Sequence, residues 1–144
     1  MELMRPMSGV VTQGVHSNHP AIDIACVEGT PVFASHDGKG SNQRSYTHGV
    51  MFVLARPDGL ETSYAHLTRA QPPGNYRRGD LIGHCGNTGV WSSGPHLHFE
   101  TNRPELLKAL IEPSSIGIPP QGPIGGAPVP LKPDLSRGIG SPTP

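Results

Sequence analysis

The chain has no net charge to speak of: 11 basic residues are matched by 11 acidic ones. That balance argues against a nucleic-acid binder, which usually carries a basic patch. No run of apolar residues approaches the length needed to cross a bilayer, so no membrane span is expected. The opening residues, Met1 to Pro6, lack the apolar stretch of a secretion signal, and export by such a signal is not expected from them. Cysteine is scarce, with only Cys26 and Cys85, and neither sits in a paired metal-ligand spacing. A disulfide between them would need Cα atoms within about 7 Å, which a sequence does not fix. Two buried thiols in strands are the expectation. Aromatics make up only 5% of the chain, beside 19 glycines and 17 prolines, a balance that suits short strands and turns better than a helical bundle.

At 144 residues the chain can build one domain around one core. Composition shifts at Pro113, beyond which nine prolines and six glycines fall in 32 residues. Such a segment buries too little apolar surface to offset its ordering entropy. The division expected is therefore a domain over residues 1–112 and an extended or docking arm over 113–144, with a protein partner for the arm. Within the domain the pattern is of strands. Thr30 to Ala34 is a short candidate, and Val50 to Ala55 is a continuous apolar run. Leu60 to Ala65 can pair back across the Pro57-Asp58-Gly59 turn, with Leu60, Thr62 and Tyr64 on one face. Leu81 to Gly83 follows, and His96 to Thr101 alternates polar and apolar residues. One short helix is predicted after Asn102 as its cap, with Leu106, Leu107, Leu110 and Ile111 as its apolar stripe and Pro113 as its stop.

What is abundant is histidine, eight in all. On a strand, His96 and His98 project to the same face while Leu97 and Phe99 enter the core. His19 and Asp23 are both good zinc ligands, but Asp23 reads as a strand residue, so His19 must curl back from a preceding loop. His66 follows in Tyr64-Ala65-His66-Leu67. Taken singly, each fragment is more often a surface or satisfied histidine than a site.

Taken in order, the fragments HPAIDIA, EGTPVFASHDG, DGLETSYAHL, RRGDLIGHCGNTG and SSGPHLHFE resemble the lysostaphin-type zinc metallopeptidases, the glycyl-glycine endopeptidase family acting on peptidoglycan. The resemblance runs from His19 to Glu100. It implies a mainly β fold: a single small antiparallel-sheet domain whose loops form a zinc groove, with the short C-terminal helix and the Pro/Gly-rich tail outside the shared part. It implies one zinc per chain held by His19, Asp23 and His98, and catalytic roles for His66 and His96. Two departures stand out. The usual glycine of a His-x-Gly pattern is Ala21 here, and Trp91 occupies a loop where small residues are expected; both bear on substrate fit.

Three protein ligands leave tetrahedral zinc one open position, as catalysis requires. His66 and His96 are then expected to move a proton from attacking water to the leaving amine, in an order the sequence does not fix. His16 is the rival of His19, but only His19 keeps the four-residue spacing to Asp23. His36, His48 and His84 are expected to be structural. Glu100 shares the face of His96 and His98, as an acceptor steadying a ligand ring or as a structural residue. The alternative to an enzyme is a wall-binding or structural module that retains the metal for stability. A wall hydrolase must reach the wall, and a bacteriophage tail component carried in the virion is the expected route.

Overall fold

A computed structural model describes residues 3–111. Nine strands form: β1 (Val11–Gln13), β2 (Ala21–Ala25), β3 (Pro31–Phe33), β4 (Gly38–Ser45), β5 (Gly49–Ala55), β6 (Glu61–Ala70), β7 (Gly74–Tyr76), β8 (Leu81–Cys85) and β9 (His96–Thr101). Their order is β1-β2-β9-β6-β5-β4-β7, and β8 joins the second half of β6 and carries β3. Every pairing is antiparallel. The fold is therefore the small mainly β domain expected. The arm over 113–144 lies outside the described residues.

Alternation decides which side of the sheet is dry. Ile22 and Ile24 on β2, Phe52 and Leu54 on β5, Tyr64 on β6, and Leu97 and Phe99 on β9 are all fully buried. Leu107 and Leu110 of the terminal helix belong to the same core. Fully burying each such side chain contributes about 1.5–3 kcal/mol relative to leaving it exposed. The intervening residues Asp23, His96, His98 and Glu100 must then share the opposite face, since side chains alternate along a strand.

The helix is a single 3-10 segment, Pro104–Leu110. Arg103, not Asn102, takes the position before it and makes no side-chain cap. The Asn102 side chain is committed elsewhere, accepting from the Glu61 amide at 3.0 Å and donating to the Gly59 carbonyl at 2.9 Å. It ties β9 to the β5–β6 turn.

The cysteine expectation is overturned. Cys26 and Cys85 are disulfide-bonded, with Cα atoms 6.6 Å apart. The segment after β2 turns along the end of β8, where the Cys85 amide donates to the Thr30 carbonyl and the Gly29 amide to the Cys85 carbonyl, both at 2.7 Å. Nothing local in the sequence announces that approach. The bond closes a loop of 59 residues, for which chain entropy alone gives a stabilisation of about 4 kcal/mol. The Cys26→Ser/Cys85→Ser variant is expected to unfold at a midpoint lower by about that free energy, measured by urea titration against the oxidised chain. An unchanged midpoint would refute it.

Candidate metal centre

The register of three strands assembles the centre. Asp23 on β2 and Ala65 on β6 are the direct neighbours of His98 on either side of β9. Ala65 is small and fully buried, and the His66 ring lies 5.9 Å from that of His98. The Asp23 carboxylate lies 3.0 Å from His98 Nδ1, 3.4 Å from His19 Nε2 and 3.9 Å from His96 Nε2.

His19 reaches this face from a tight turn. The backbones of His16 and His19 pair in both directions, at 3.0 and 2.8 Å, across Ser17 and Asn18. His19 Nδ1–H donates to the Gly14 carbonyl at 2.9 Å. A carbonyl can only accept, so Nδ1 carries a proton and Nε2 is the nitrogen that faces Asp23. His96 repeats the device, its Nδ1–H donating to the Gly94 carbonyl at 2.9 Å. So does His66, whose Nδ1–H donates to the Thr88 carbonyl at 2.6 Å. Three imidazoles are thus anchored through Nδ1 on backbone carbonyls, which leaves Nε2 as the outer nitrogen of each ring.

His66 owes its aim to an irregular backbone. It has φ +63°, the left-handed region that histidine enters more readily than most residues. Val50 and Phe52, two apart on β5, face Leu67 and Tyr64, three apart on β6, so β6 carries one extra residue there. At the same point β6 leaves β9 and takes up β8 as its partner. Such bulges re-aim a side chain. The His66 amide is held at 2.9 Å by the His48 carbonyl. The segment carrying Thr88 can pass this close only because Gly49 and Gly89 both have positive φ and no side chain; a Cβ at Gly89 would lie 2.5 Å from the Gly49 amide nitrogen.

His98 has a carboxylate on each nitrogen: Asp23 at Nδ1 and Glu100 at Nε2, both at 3.0 Å. Burial alone would lower its pKa, but hydrogen bonds to Asp23 and Glu100 outweigh burial and raise it to about 9. Asp23 is held below the usual carboxylate range: burial would raise it, and the His98 hydrogen bond overrides that. His66 is pushed down to about 4, mainly by burial, against the pull of the Thr88 carbonyl. Without metal, then, His98 is an imidazolium between two carboxylates and His66 is neutral.

His19, Asp23 and His98 each offer a ligand atom within 4.8 Å of the others, and a hard carboxylate with two imidazoles is a donor set that suits zinc. The donors fit the ion. With Nδ1 given to a metal, the Nε2–H of His98 would still donate to Glu100, the carboxylate–histidine arrangement that fixes a ligand ring. Binding must expel the Nδ1 proton, which fixes the sign of the pH effect. Below pH about 9 each metal bound releases about one proton, and affinity falls up to about tenfold per unit of acidification. The metal-free fold behaves in the opposite sense. Its stabilisation from charged His98 is complete below the ordinary value of 6.5 and is lost as pH climbs to about 9. The rise in melting temperature on adding zinc should therefore grow with pH between 6.5 and 9. Calorimetry across that interval checks it, and a flat or falling increment would count against His98 as a ligand.

All five residues singled out from the sequence share one face, with His66 and His96 ring centroids 4.8 Å apart. Of the histidines expected to be structural, His36 is so: its Nδ1–H donates to the Asp37 carbonyl and its Nε2 meets Thr62 Oγ1. His84 lies on β8, paired with Pro31 of β3 and Arg69 of β6. His16 stacks on His19 at 5.3 Å. His48 departs from expectation. Its ring lies 5.3 Å from His98, 5.8 Å from His66 and 5.2 Å from Trp91, and with His98 and Glu100 it forms a second group of potential metal donors. Its placement follows from the β4–β5 turn, which no local pattern around His48 reveals.

A half-buried His/Asp/His group on an antiparallel sheet, with two further imidazoles held by backbone carbonyls, is a donor set that suits zinc. The chain belongs to peptidase family M23, whose sequence profile matches residues 17–109. It is 41% identical over 106 residues to the DD-carboxypeptidase/endopeptidase Mpg of Neisseria meningitidis serogroup B, covering 70% of this chain and 23% of that protein. It is 36% identical over 85 residues to the peptidoglycan DD-endopeptidase ShyA of Vibrio cholerae, covering 57% and 20%. Among solved structures it is similar to a zinc-containing peptidase from Vibrio cholerae, with TM-score 0.62 and 27% identity over 70% of this chain and 36% of that one. The chain thus spans under a quarter of the length of these curated relatives. Among the described residues no helix is long and apolar enough to cross a membrane.

Proposed function

We propose that this protein hydrolyses peptide cross-links of bacterial peptidoglycan, at D-Ala–diaminopimelate bonds in preference to Gly–Gly bonds. The convergence of His19, Asp23, His66, His96 and His98 on one sheet face carries the reading, and the DD-endopeptidase relatives support the bond. His19, Asp23 and His98 hold the zinc, which when bound supplies Lewis acidity that polarises a carbonyl and acidifies water. His66 and His96 flank the reacting atoms with Nε2 lone pairs. One accepts the proton of the attacking water and returns it to the leaving amine; the other, its Nδ1–H held by a backbone carbonyl, orients that water through Nε2. Glu100 keeps the His98 ring in place. The Nδ1–carbonyl bonds of His66 and His96 prevent tautomer exchange, so each imidazole enters the reaction with its basic nitrogen already aimed.

Residues 1–112 form the catalytic domain in this reading, and 113–144 an arm for a protein partner. Delivery as a bacteriophage tail component is the route we favour, supported by the Pro/Gly-rich composition of the arm; co-purification of the chain with phage particles tests it. The enzymatic reading is tested by mass spectrometry of fragments released from two defined peptidoglycans, directly cross-linked and glycine-bridged, with and without chelator. Zinc-dependent release of peptides ending in D-Ala from the first is expected. No release from either wall would leave the wall-binding module as the answer.

A further inference from the structure

His98 offers its two ring nitrogens to two different groups of donors. On the Nδ1 side stands the Asp23 carboxylate, 3.0 Å from that nitrogen and 3.4 Å from His19 Nε2. On the Nε2 side stands Glu100, also at 3.0 Å. His48 joins it, with its ring centroid 5.3 Å from that of His98. His48, His98 and Glu100 each present a ligand atom within 4.8 Å of the others, the same spacing as in His19, Asp23 and His98.

Strand alternation puts Glu100 beside His98 on β9. His48 comes from the β4–β5 turn, and that turn is tied down. Its amide donates to Ser45 Oγ at 2.9 Å, and its carbonyl accepts the His66 amide at 2.9 Å. Its Nδ1 meets Thr47 Oγ1 at 2.9 Å, which leaves Nε2 as the outer nitrogen. Trp91 packs edge-on against the ring at 5.2 Å, and the Trp91 amide donates to the Thr47 carbonyl at 3.1 Å. Turn and loop together fix the imidazole.

The two groups are chemical rivals. Each has two imidazoles and one carboxylate, a set that suits zinc, and each leaves the bound ion with the same net charge. They share one ring, however, and a neutral imidazole has one lone pair. A metal on Nε2 needs the ring proton on Nδ1, where it donates to Asp23. A metal on Nδ1 needs it on Nε2, where it donates to Glu100. One ion per ring is the consequence. His19 and His96 both approach Asp23, their Nε2 atoms 3.4 and 3.9 Å from it. An ion on the Glu100 side is apart from both. The side chains of His19, Asp23 and His98 are 12, 13 and 14% exposed, against 41% for Glu100, so the first group competes with less water.

We propose that His48, His98 and Glu100 form a second, competing position for a divalent transition-metal ion such as zinc, which fills when the His19 side is disabled and holds the ion out of the reaction. The proposal rests on the ligand set of the first position and not on which wall bond is cut.

The test reads which nitrogen carries the metal. Zinc is titrated calorimetrically into the full chain stripped of metal, into its H19A variant and into H19A/H48A. Long-range proton–nitrogen NMR correlations of the histidine rings are recorded on each loaded form. The wild-type chain is expected to take one zinc, on His98 Nδ1. H19A is expected to keep one zinc, more weakly, with the metal-bound nitrogen of His98 changed to Nε2 and the His48 ring nitrogens shifted as well. H19A/H48A should bind more weakly than H19A by at least about 10–100-fold, the loss that removing even an outer-shell partner brings. H19A/H48Q, which keeps side-chain bulk in the turn, should show the same loss at an unaltered metal-free melting temperature. Equal zinc affinity in H19A and both double variants would overturn the second position, as would H19A zinc still carried on His98 Nδ1. A wild-type chain with two zincs, one on each nitrogen of His98, would overturn the competition.

Discussion

Replacing His98 with alanine is expected to remove the metal and the activity together. His98 lies between two carboxylates: Asp23 meets its Nδ1 and Glu100 its Nε2. Deleting the ring takes away one of three ligands. It also leaves two half-buried carboxylates on one sheet face without the cation or dipole between them. The ion is then left with His19 and Asp23 alone, and Glu100 has no ring to hold. The measurement is zinc content of the purified variant by atomic emission, together with hydrolysis of cell walls. The expected fall is from one zinc per chain to none, with no activity restored by added zinc at neutral pH. His16→Ala supplies the contrast: His16 stacks on His19 but keeps Gln13 as its hydrogen-bond partner at 2.9 Å, and its removal should leave the zinc in place. A His98→Ala chain that retains stoichiometric zinc would dispose of the ligand assignment, and a His16→Ala chain that loses it would shift the first ligand by three residues.

The parts of this site visible in the sequence are those whose geometry is local. His96 and His98 lie two apart on a strand, and strand alternation alone puts both imidazoles on the face opposite Leu97 and Phe99; the strand runs over His96–Thr101 as the alternation indicates. The Val50 to Ala55 run is likewise its own announcement of a central strand. β4 is different. Its sequence GKGSNQRS has no apolar alternation because five of its eight residues are consecutively exposed, and Gly40 is needed where the Phe52 ring leaves no room for a Cβ. That polar ribbon reads as loop, so the turn at its end, which carries His48 into the site, had no expected position. The disulfide was hidden for the same kind of reason. Cys26 and Cys85 are brought together by a segment that folds along β8, and only the assembled sheet shows the two ends side by side. His66 is intermediate: family resemblance marks the residue, but the bulge and positive φ that aim it arise where β6 changes partners between β9 and β8, a property of three strands at once.

Loss of the His66 imidazole should cut the rate of hydrolysis by about 10²–10⁴-fold while zinc stays bound, the range for a positioned acid–base group. The variant needs care because of the backbone. His66 has φ +63°, and its Nδ1–H bond to the Thr88 carbonyl helps hold that backbone, so His66→Ala alone confounds lost chemistry with a shifted strand. His66→Asn, which tolerates the left-handed region and keeps a donor near the Thr88 carbonyl, separates the two. Equal rate loss in both variants, with zinc content and melting temperature preserved in the asparagine form, is the expected result; recovery of wild-type turnover in His66→Asn would show that backbone geometry was the whole contribution. The pH profile adds a second check. With its pKa near 4 in the metal-free protein, and lowered further by a nearby cation, His66 is neutral throughout the range where the enzyme can hold zinc. Acid loss of activity in the wild type is therefore not the titration of His66, and protons competing with the metal at His98, whose pKa is about 9 without it, contribute to it. Raising free zinc should move that acid limb to lower pH in the wild type by the same amount as in His66→Asn, since the limb belongs to the metal and not to the base. A limb that disappears in the variant, or that ignores zinc concentration, would place the titrating group on His66 after all.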